Sequence, residues 1–223
     1  MKNKGMENFI IDFPVIDKRG FRVERCNRCH LPIVACICRF APNIKTKANF
    51  WLIMYELEFL KPTNTGKLIA ESIESTYSFK WKRNENPEDL VKLIDDQKYN
   101  TYLVFPDDVE DYKPRSKKYE EVEGKDPAFI ILDGTWTQAR KMFRKSKYLE
   151  KLPLLSLNTE RESEYVLRSP SDKNHICTVE VAIELLKIVG DEQASKELND
   201  YFKLFLKYYL AGRNNHLPLE DEI

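Results

Sequence analysis

Short apolar runs alternate with segments of helical periodicity along this chain, and the alternation limits its possible folds more than any other sequence feature. Strands that alternate with helices are typical of a parallel sheet with helices packed on its faces. We therefore predict an α/β fold with a mostly parallel sheet, interrupted at 110–127 by a charged segment that forms either a mobile loop or a short excursion. The predicted strands lie within residues 48–59, 99–108, 128–134 and 151–157. The predicted helices lie within residues 63–73, 87–96, 135–149, 178–190 and 194–212.

The composition is that of a globular protein without net charge. The 223 residues are 42% hydrophobic, which is enough for one large domain or for one domain with a small appendage. Because 36 basic residues balance 36 acidic ones, any binding of nucleic acid must come from a local cluster of cations. We see no apolar leader and no run long enough to span a bilayer. We expect a soluble, cytoplasmic protein with no membrane partner and no obligate protein partner.

Four of the five cysteines lie within thirteen residues, as Cys26, Cys29, Cys36 and Cys38. In a reducing compartment such a cluster more often binds zinc than forms disulfides, and four thiolates satisfy a tetrahedral Zn²⁺ ion. Two disulfides or uncommitted thiols are the alternative interpretation. His30 is a less suitable ligand because it directly follows Cys29. We predict a structural zinc knuckle.

Polar segments stand where predicted strands end or helices begin. In open α/β sheets, ligands bind at the carboxyl ends of the strands, so these segments are candidate binding sites. The sequence contains neither a G-x-G-x-x-G motif nor a Walker loop, which argues against dinucleotide binding and P-loop chemistry. The candidate segments are "TNTG" at 63–66, "FPDD" at 105–108, "DGTW" at 133–136 and "HICTVE" at 175–180.

The "DGTW" segment combines a helix start with a carboxylate at a strand end. Thr135 followed by Gln138 forms the pattern of a capping box, which predicts a helix that begins at Trp136. Capping accounts for Thr135 but not for Asp133, whose carboxylate would face the ligand crevice and accept a proton or a ligand amine. Trp136 either packs in the core or forms an aromatic wall for a nucleobase.

The helix after "DGTW" carries a stripe of cations without any acidic residue from 134 to 149. Like charges at i,i+4 spacing repel one another, and nucleic-acid phosphates are their natural partners. A solvated basic face is the alternative. The candidate phosphate-binding residues are Arg140, Lys141, Arg144, Lys145 and Lys147.

Taken together, these motifs resemble the DTW-domain family, and within it the bacterial tRNA-uridine aminocarboxypropyltransferases. Asp133-Gly134-Thr135-Trp136 matches the Asp-x-Thr-Trp signature of that family, and the four-cysteine knuckle matches as well. Further matching segments are "KPTNTGKLIAE" at 61–71, "VFPDD" at 104–108, "YVLR" at 165–168, "CTVEVAIELL" at 177–186 and "YYLAG" at 208–212.

The resemblance implies a SPOUT-like fold whose C-terminal part is threaded into a trefoil knot. It implies an N-terminal arm over residues 1–22, the knuckle over 23–40 and a SPOUT-like DTW catalytic domain over 41–223. The implied reaction moves the 3-amino-3-carboxypropyl group of S-adenosylmethionine to N3 of a uridine in the variable loop of tRNA, at tRNA position 47, and releases methylthioadenosine.

The resemblance also implies which residues form the site. Asp133, Thr135 and Trp136 would lie at the reaction centre, with Asp133 as the candidate base whose pKa is raised by desolvation. One departure concerns Tyr55, which stands where many relatives carry His. The implied S-adenosylmethionine contacts are Thr65, Gly66, Phe105, Pro106, Asp133, Trp136, Leu167, Arg168, Cys177, Thr178 and Glu180.

Three other functions fit part of the pattern. A SPOUT-type RNA methyltransferase would use the same cofactor and release S-adenosylhomocysteine. A non-catalytic zinc-knuckle protein that binds RNA would explain the cysteines and the basic helix, but not the "TNTG" and "DGTW" segments. A related aminocarboxypropyl transfer to ribosomal RNA would keep the chemistry and change the substrate.

Overall fold

A computed structural model of the protein describes residues 23–157, 163–165 and 176–213. The strands are β1 (Asn49–Met54), β2 (Thr76–Lys80), β3 (Tyr99–Val104), β4 (Asp126–Asp133) and β5 (Leu154–Leu155). The helices are α1 (Gly66–Ser72), α2 (Glu88–Asp95), α3 (Trp136–Lys145), α4 (Thr178–Ile188) and α5 (Glu192–Arg213). Short 3₁₀ turns lie at Ile33–Ala35, Cys38–Phe40, Glu58–Leu60, Glu110–Arg115 and Lys147–Leu149.

The five strands form one sheet in the order β2-β1-β4-β3-β5, and every pairing is parallel. The prediction of a mostly parallel sheet flanked by helices is confirmed. β4 lies at the centre, and its last residue, Asp133, is level with Met54 at the end of β1. From β1 the chain continues through α1 to β2 at one edge, whereas from β4 it continues through α3 to β5 at the opposite edge. The carboxyl ends of β1 and β4 therefore form a topological switch point, where ligands bind in open α/β sheets.

Both faces of the sheet are covered, which explains why β1 is apolar without interruption. Phe50 and Leu52 face one core together with Leu68 of α1, Ile183 of α4 and the cysteine segment. Between them, Trp51 and Ile53 face the opposite core, to which α2 and α3 contribute. The alternation of side chains along a strand thus sends neighbouring residues of β1 into two different cores.

Residues 110–127 are more ordered than the sequence prediction of a mobile loop. Glu110–Arg115 forms a 3₁₀ helix, and Ser116 pairs with Leu154 of β5. The guanidinium of Arg115 donates hydrogen bonds to the carbonyls of Leu149 and Leu152. Arg115 therefore fastens this segment to the chain before β5.

Parts of the sequence prediction lie outside the described residues. These parts are the arm over 1–22, the site candidates Leu167 and Arg168, and most of the connection from β5 to α4. The trefoil knot depends on the path of that connection and stays a prediction. Among the described helices, none combines the length and the apolar character needed to cross a bilayer.

Candidate active site

Asp133 lies at the switch point, and its carboxylate joins three segments that are distant in sequence. The residue is buried, with 3% of its surface exposed. The side-chain amide of Asn64 donates to Oδ2 at 2.6 Å, and the hydroxyl of Thr178 donates to Oδ1 at 2.6 Å. Both oxygens of the carboxylate therefore accept a hydrogen bond from a side chain of another segment. The "TNTG", "DGTW" and "CTVE" segments predicted from sequence thus meet at one buried group.

Asn64 has two roles in this arrangement. Its Oδ1 accepts a hydrogen bond from the backbone N–H of Lys67 in the first turn of α1, at 3.1 Å. Its Nδ2 donates to Asp133, so the same amide caps the helix and holds the carboxylate. The sequence predicts Asn64 only as one residue of the candidate segment "TNTG", and its contact with Asp133 is not predicted.

Thr65 and Gly66 connect α1 to the other two segments. The Thr65 hydroxyl accepts a hydrogen bond from the backbone N–H of Val179, at 3.4 Å, at the start of α4. Gly66 lies so close to the carboxylate that a Cβ atom there would stand 2.6 Å from Oδ2 of Asp133. Only glycine fits this close approach. Both residues therefore lie beside the segments that hold the Asp133 carboxylate. Their contact with a cofactor stays a prediction.

Glu180 organises the start of α4. Its carboxylate is fully buried and accepts hydrogen bonds from the backbone of Cys177 at 2.7 Å, the hydroxyl of Ser163 at 2.7 Å and the backbone of Glu164 at 2.8 Å. Burial, with the nearby charge of Glu180, raises the pKa of the Cys177 thiol well above its usual range. Glu180 therefore holds the chain at 163–165 against α4, and a cofactor contact of either residue stays a prediction.

Thr135 begins α3 as predicted. Its hydroxyl accepts from the backbone N–H of Gln138 at 3.4 Å, and the Gln138 side chain accepts from the backbone N–H of Thr135 at 2.8 Å, so the capping box is confirmed. Trp136 is partly buried and meets the ring of Phe105 edge-on at 6.4 Å. Phe105 in turn stacks on Phe143 at 4.2 Å. The first turn of α3 thus packs against the "FPDD" segment, and a contact of Trp136 with a ligand stays a prediction.

The predicted stripe of cations on α3 divides into two parts. Lys141 turns towards the sheet, where its Nζ donates to the Tyr55 hydroxyl at 3.1 Å and lies over the rings of Tyr55 and Trp81, at 5.5 and 5.8 Å. Arg140 forms an exposed ion pair with Asp108 at 3.4 Å, an interaction that contributes little in water. The side chains of the stripe that are exposed are Arg140, Arg144, Lys145 and Lys147.

Tyr55 adjoins Asp133. Its backbone N–H donates to the Asp133 carbonyl at 3.0 Å. Its ring stacks on Trp81 with centroids 5.4 Å apart and planes inclined by 21°. The hydroxyl accepts the hydrogen bond from Lys141, so its own O–H is left to donate. The stacked rings of Tyr55 and Trp81, with the Lys141 ammonium over them, therefore lie beside the carboxyl end of β4.

The four clustered cysteines have the geometry of a metal site. Their sulfur atoms all lie within 4.8 Å of one another, with Cys26 to Cys38 at 3.6 Å and Cys29 to Cys36 at 3.8 Å. A Zn–S distance of about 2.3 Å gives a tetrahedron whose edges are about 3.8 Å, so the residues fit a Zn²⁺ ion. All four thiols are free, so the cluster contains no disulfide in this structure. The hydrogen bond between Cys29 and Cys38 lowers the pKa of Cys29 to about 4 and raises the pKa of Cys38 well above its usual range, and burial raises the pKa of Cys36, so the cluster favours a single thiolate at Cys29.

The basic residues near the cluster each have a partner of their own. Arg25 donates to the carbonyl of His30 at 3.1 Å, Arg28 pairs with Glu71, and Arg39 covers the ring of Phe40 at 4.6 Å. His30 packs edge-on against Phe59 at 5.6 Å, and burial lowers its pKa to about 4. As predicted, the cluster is formed by the four cysteines without His30.

The chain is similar to known proteins over most of its length. The family model described as "DTW domain" matches residues 23–210. Three curated proteins, each called tRNA-uridine aminocarboxypropyltransferase 2, are similar to this chain. The Drosophila melanogaster protein is 24% identical over 177 residues, 75% of this chain and 67% of its own. The Macaca fascicularis protein is 25% identical over 179 residues (75% and 57%), and the Mus musculus protein 24% over 184 residues (79% and 60%). The chain thus spans between about half and two thirds of these relatives, and no solved structure matches it.

Proposed function

The chain belongs to the DTW-domain family, and on that basis we propose that it is a tRNA-uridine aminocarboxypropyltransferase. The names of the similar proteins support this activity. The observation that carries the proposal is the meeting of Asn64, Asp133 and Thr178 at the topological switch point. Three segments typical of the family thereby build one buried polar centre where an α/β sheet binds ligands.

We propose that S-adenosylmethionine, the donor of the transferred group, binds along this edge. The loop before α1 meets the first turn of α4 where the Thr65 hydroxyl accepts a hydrogen bond from Val179, and Phe105 of the "FPDD" segment contacts Trp136 edge-on. We assign donor contacts to Thr65, Gly66, Phe105, Pro106 and Thr178, and we assign to the ring of Trp136 the contact with an adenine or uracil base. The remaining proposed contacts are Leu167, Arg168, Cys177 and Glu180.

The proposed transfer forms a bond from uridine N3 to the γ-carbon of the donor and breaks the bond from that carbon to sulfur. The electron pair of the broken bond leaves with sulfur, so neutral methylthioadenosine departs, and the N3 proton must pass to a base. Asp133 is the proposed residue at this point, either as that base or as the group that holds the amino-acid tail of the donor. Because the sulfonium leaves readily, positioning supplies a large share of the catalysis.

We propose that tRNA phosphates bind Arg140, Arg144, Lys145 and Lys147, with Lys141 at the flank of the stripe. These four exposed cations lie on α3, the helix that follows Asp133, and on the turn after it, which supports this assignment. We further propose uridine 47 as the target, a structural Zn²⁺ ion at Cys26, Cys29, Cys36 and Cys38, and a cytoplasmic location, where free thiols persist. The proposed division remains an arm over 1–22, the knuckle over 23–40 and a SPOUT-like, knotted catalytic domain over 41–223.

The product of the reaction tests the proposal. Purified protein, unmodified tRNA and S-adenosylmethionine should yield methylthioadenosine and an equal amount of aminocarboxypropyluridine, measured by mass spectrometry of the digested nucleosides. Release of S-adenosylhomocysteine alone would identify a methyltransferase instead. Product on ribosomal RNA but not on tRNA would keep the chemistry and overturn the substrate. Failure of calorimetry to detect S-adenosylmethionine binding would favour a non-catalytic protein.

A further inference from the structure

Lys67, the second residue of α1, is a buried lysine. Its ammonium connects the cysteine cluster to the loop at residues 61–66, which leads into the Asp133 site. The residue is 3% exposed. Its Nζ donates to the carbonyl of Cys29 in the cluster, to that of Pro62 at 3.1 Å and to that of Lys61 at 3.4 Å. A buried ammonium is strongly destabilising unless its donors are satisfied, and here three carbonyls match its three N–H groups. The ammonium also lies over the ring of Phe205 at 5.8 Å.

A second bond links the same cysteine turn to α1. Arg28, which lies between Cys26 and Cys29, pairs with Glu71, whose side chain is 3% exposed. Lys67 and Glu71 are four residues apart and therefore lie on the same face of α1. The segment from Cys26 to Cys29 thus contacts α1 at two positions, one helical turn apart.

The start of α1 forms part of the Asp133 site. Gly66, directly before Lys67, lies against the Asp133 carboxylate, and Asn64 donates to it. The loop held by the Lys67 ammonium, at Lys61 and Pro62, leads directly into Asn64. A displacement of the Cys29 carbonyl would therefore disturb the Lys67 ammonium, and through it the backbone of Lys61 and Pro62, which precede Asn64.

We propose that Lys67 is a positioning residue that couples metal occupancy of the cysteine cluster to the geometry of the Asp133 site. The metal-bound cluster then holds residues 61–66 in place. The proposal rests on the proposed function only for the identity of the ligand. The four cysteines fix the Cys29 carbonyl when a metal holds their sulfur atoms together, and Lys67 transmits that order to residues 61–66.

Hydrogen–deuterium exchange tests the coupling without reference to activity. In the wild-type protein, removal of the metal with a chelator should increase exchange at residues 61–68 as well as at 26–38. Lys67→Met with its metal bound should show the same increase at 61–68, and chelation should add little further. The proposal would be overturned if chelation of Lys67→Met raised exchange at 61–68 by as much as chelation of the wild-type protein does. It would also be overturned if chelation of the wild-type protein raised exchange only at 26–38.

Two further variants make the result decisive. Lys187→Met removes an exposed lysine that pairs with Glu184 on α4 and should leave exchange at 61–68 unchanged. Arg28→Met removes the exposed partner of the second link and should give a partial increase even if Lys67→Met does not fold. No increase in Arg28→Met and in chelated wild-type protein would also overturn the coupling.

Calorimetry with S-adenosylmethionine then measures the effect on the ligand. We expect Lys67→Met to bind about 10-fold or more weakly, and we expect chelation to weaken wild-type binding by a similar factor but Lys67→Met by much less. Equal weakening of both proteins by chelation would contradict a route through Lys67. If wild-type protein does not bind this ligand, the proposed function fails, and the exchange experiment still decides the coupling.

Discussion

The close approach of Gly66 to Asp133 makes Gly66→Ala the most informative single substitution. An added Cβ would lie 2.6 Å from Oδ2 and 3.1 Å from Cγ of Asp133, and because ordinary contact begins at 3.4 Å the carboxylate must retreat by about 0.8 Å. A retreat of that size would lengthen the 2.6 Å hydrogen bond from Asn64 to as much as about 3.4 Å and so weaken it. Displacement of a catalytic group by about 1 Å lowers the rate about 100-fold, so we expect kcat/KM to fall by about that factor.

The stability of Gly66→Ala should change far less than its activity. Overpacking destabilises by about 1–3 kcal/mol, whereas alanine favours a helix by up to about 1 kcal/mol relative to glycine. The net loss of about 1–2 kcal/mol corresponds to a decrease of only a few degrees in Tm for a protein of this size. The assay is release of methylthioadenosine, measured beside thermal unfolding.

Gly124→Ala provides a control of similar stability. Gly124 has a φ of 77° and nothing within 4 Å of an added Cβ, so alanine there strains the backbone by about 1 kcal/mol without touching the site. We expect Gly124→Ala to lose stability and keep its activity. If Gly66→Ala were as active as the control, the position of the Asp133 carboxylate would not limit the reaction, and the argument for this site would be refuted.

Three further predictions address the base, the RNA and the metal. Asp133→Asn should abolish methylthioadenosine release and leave tRNA affinity largely unchanged in a filter-binding assay; retained turnover would exclude Asp133 as the base. Replacement of Arg144 and Lys145 by Ala should weaken tRNA binding and reduce the slope of log K against log salt by up to about 0.9 per lost phosphate contact, whereas Lys92→Ala on α2 should change neither. Cys36→Ser should abolish stoichiometric zinc binding, measured by elemental analysis of the purified protein; full zinc content would refute the four-cysteine site.

The alternation of apolar runs and helical segments was sufficient to predict most of the fold. β1 and β4 are buried on both faces, so nearly every residue in them is apolar and the strands are visible in the sequence. β2 was not predicted. It lies at the edge of the sheet, and four of its five residues are partly exposed, so its sequence "TYSFK" contains no apolar run, and its polar and aromatic residues alternate over only five positions.

The contacts within the site depend on strand order, which local patterns do not encode. The sequence places Asn64 after β1 and Asp133 after β4, but their contact requires these two strands to be neighbours. Lys141 illustrates the same limit, because its helical row predicts an exposed cation. The aromatic pair that draws it towards the sheet comes from Tyr55 and Trp81, which lie on other elements.

Lys67 shows why a residue's local pattern can point away from its role. In the sequence, a lysine after Thr-Gly at a helix start suggests a cation that faces solvent or an anionic ligand. Its burial follows from two features far along the chain, the cysteine turn that supplies one carbonyl and α5, which places Phe205 beside the ammonium. A charge is tolerated there only because each of its donors has an acceptor, and such an arrangement fails if any one acceptor moves. The same requirement that makes the buried lysine difficult to predict makes it sensitive to the state of the cysteine cluster.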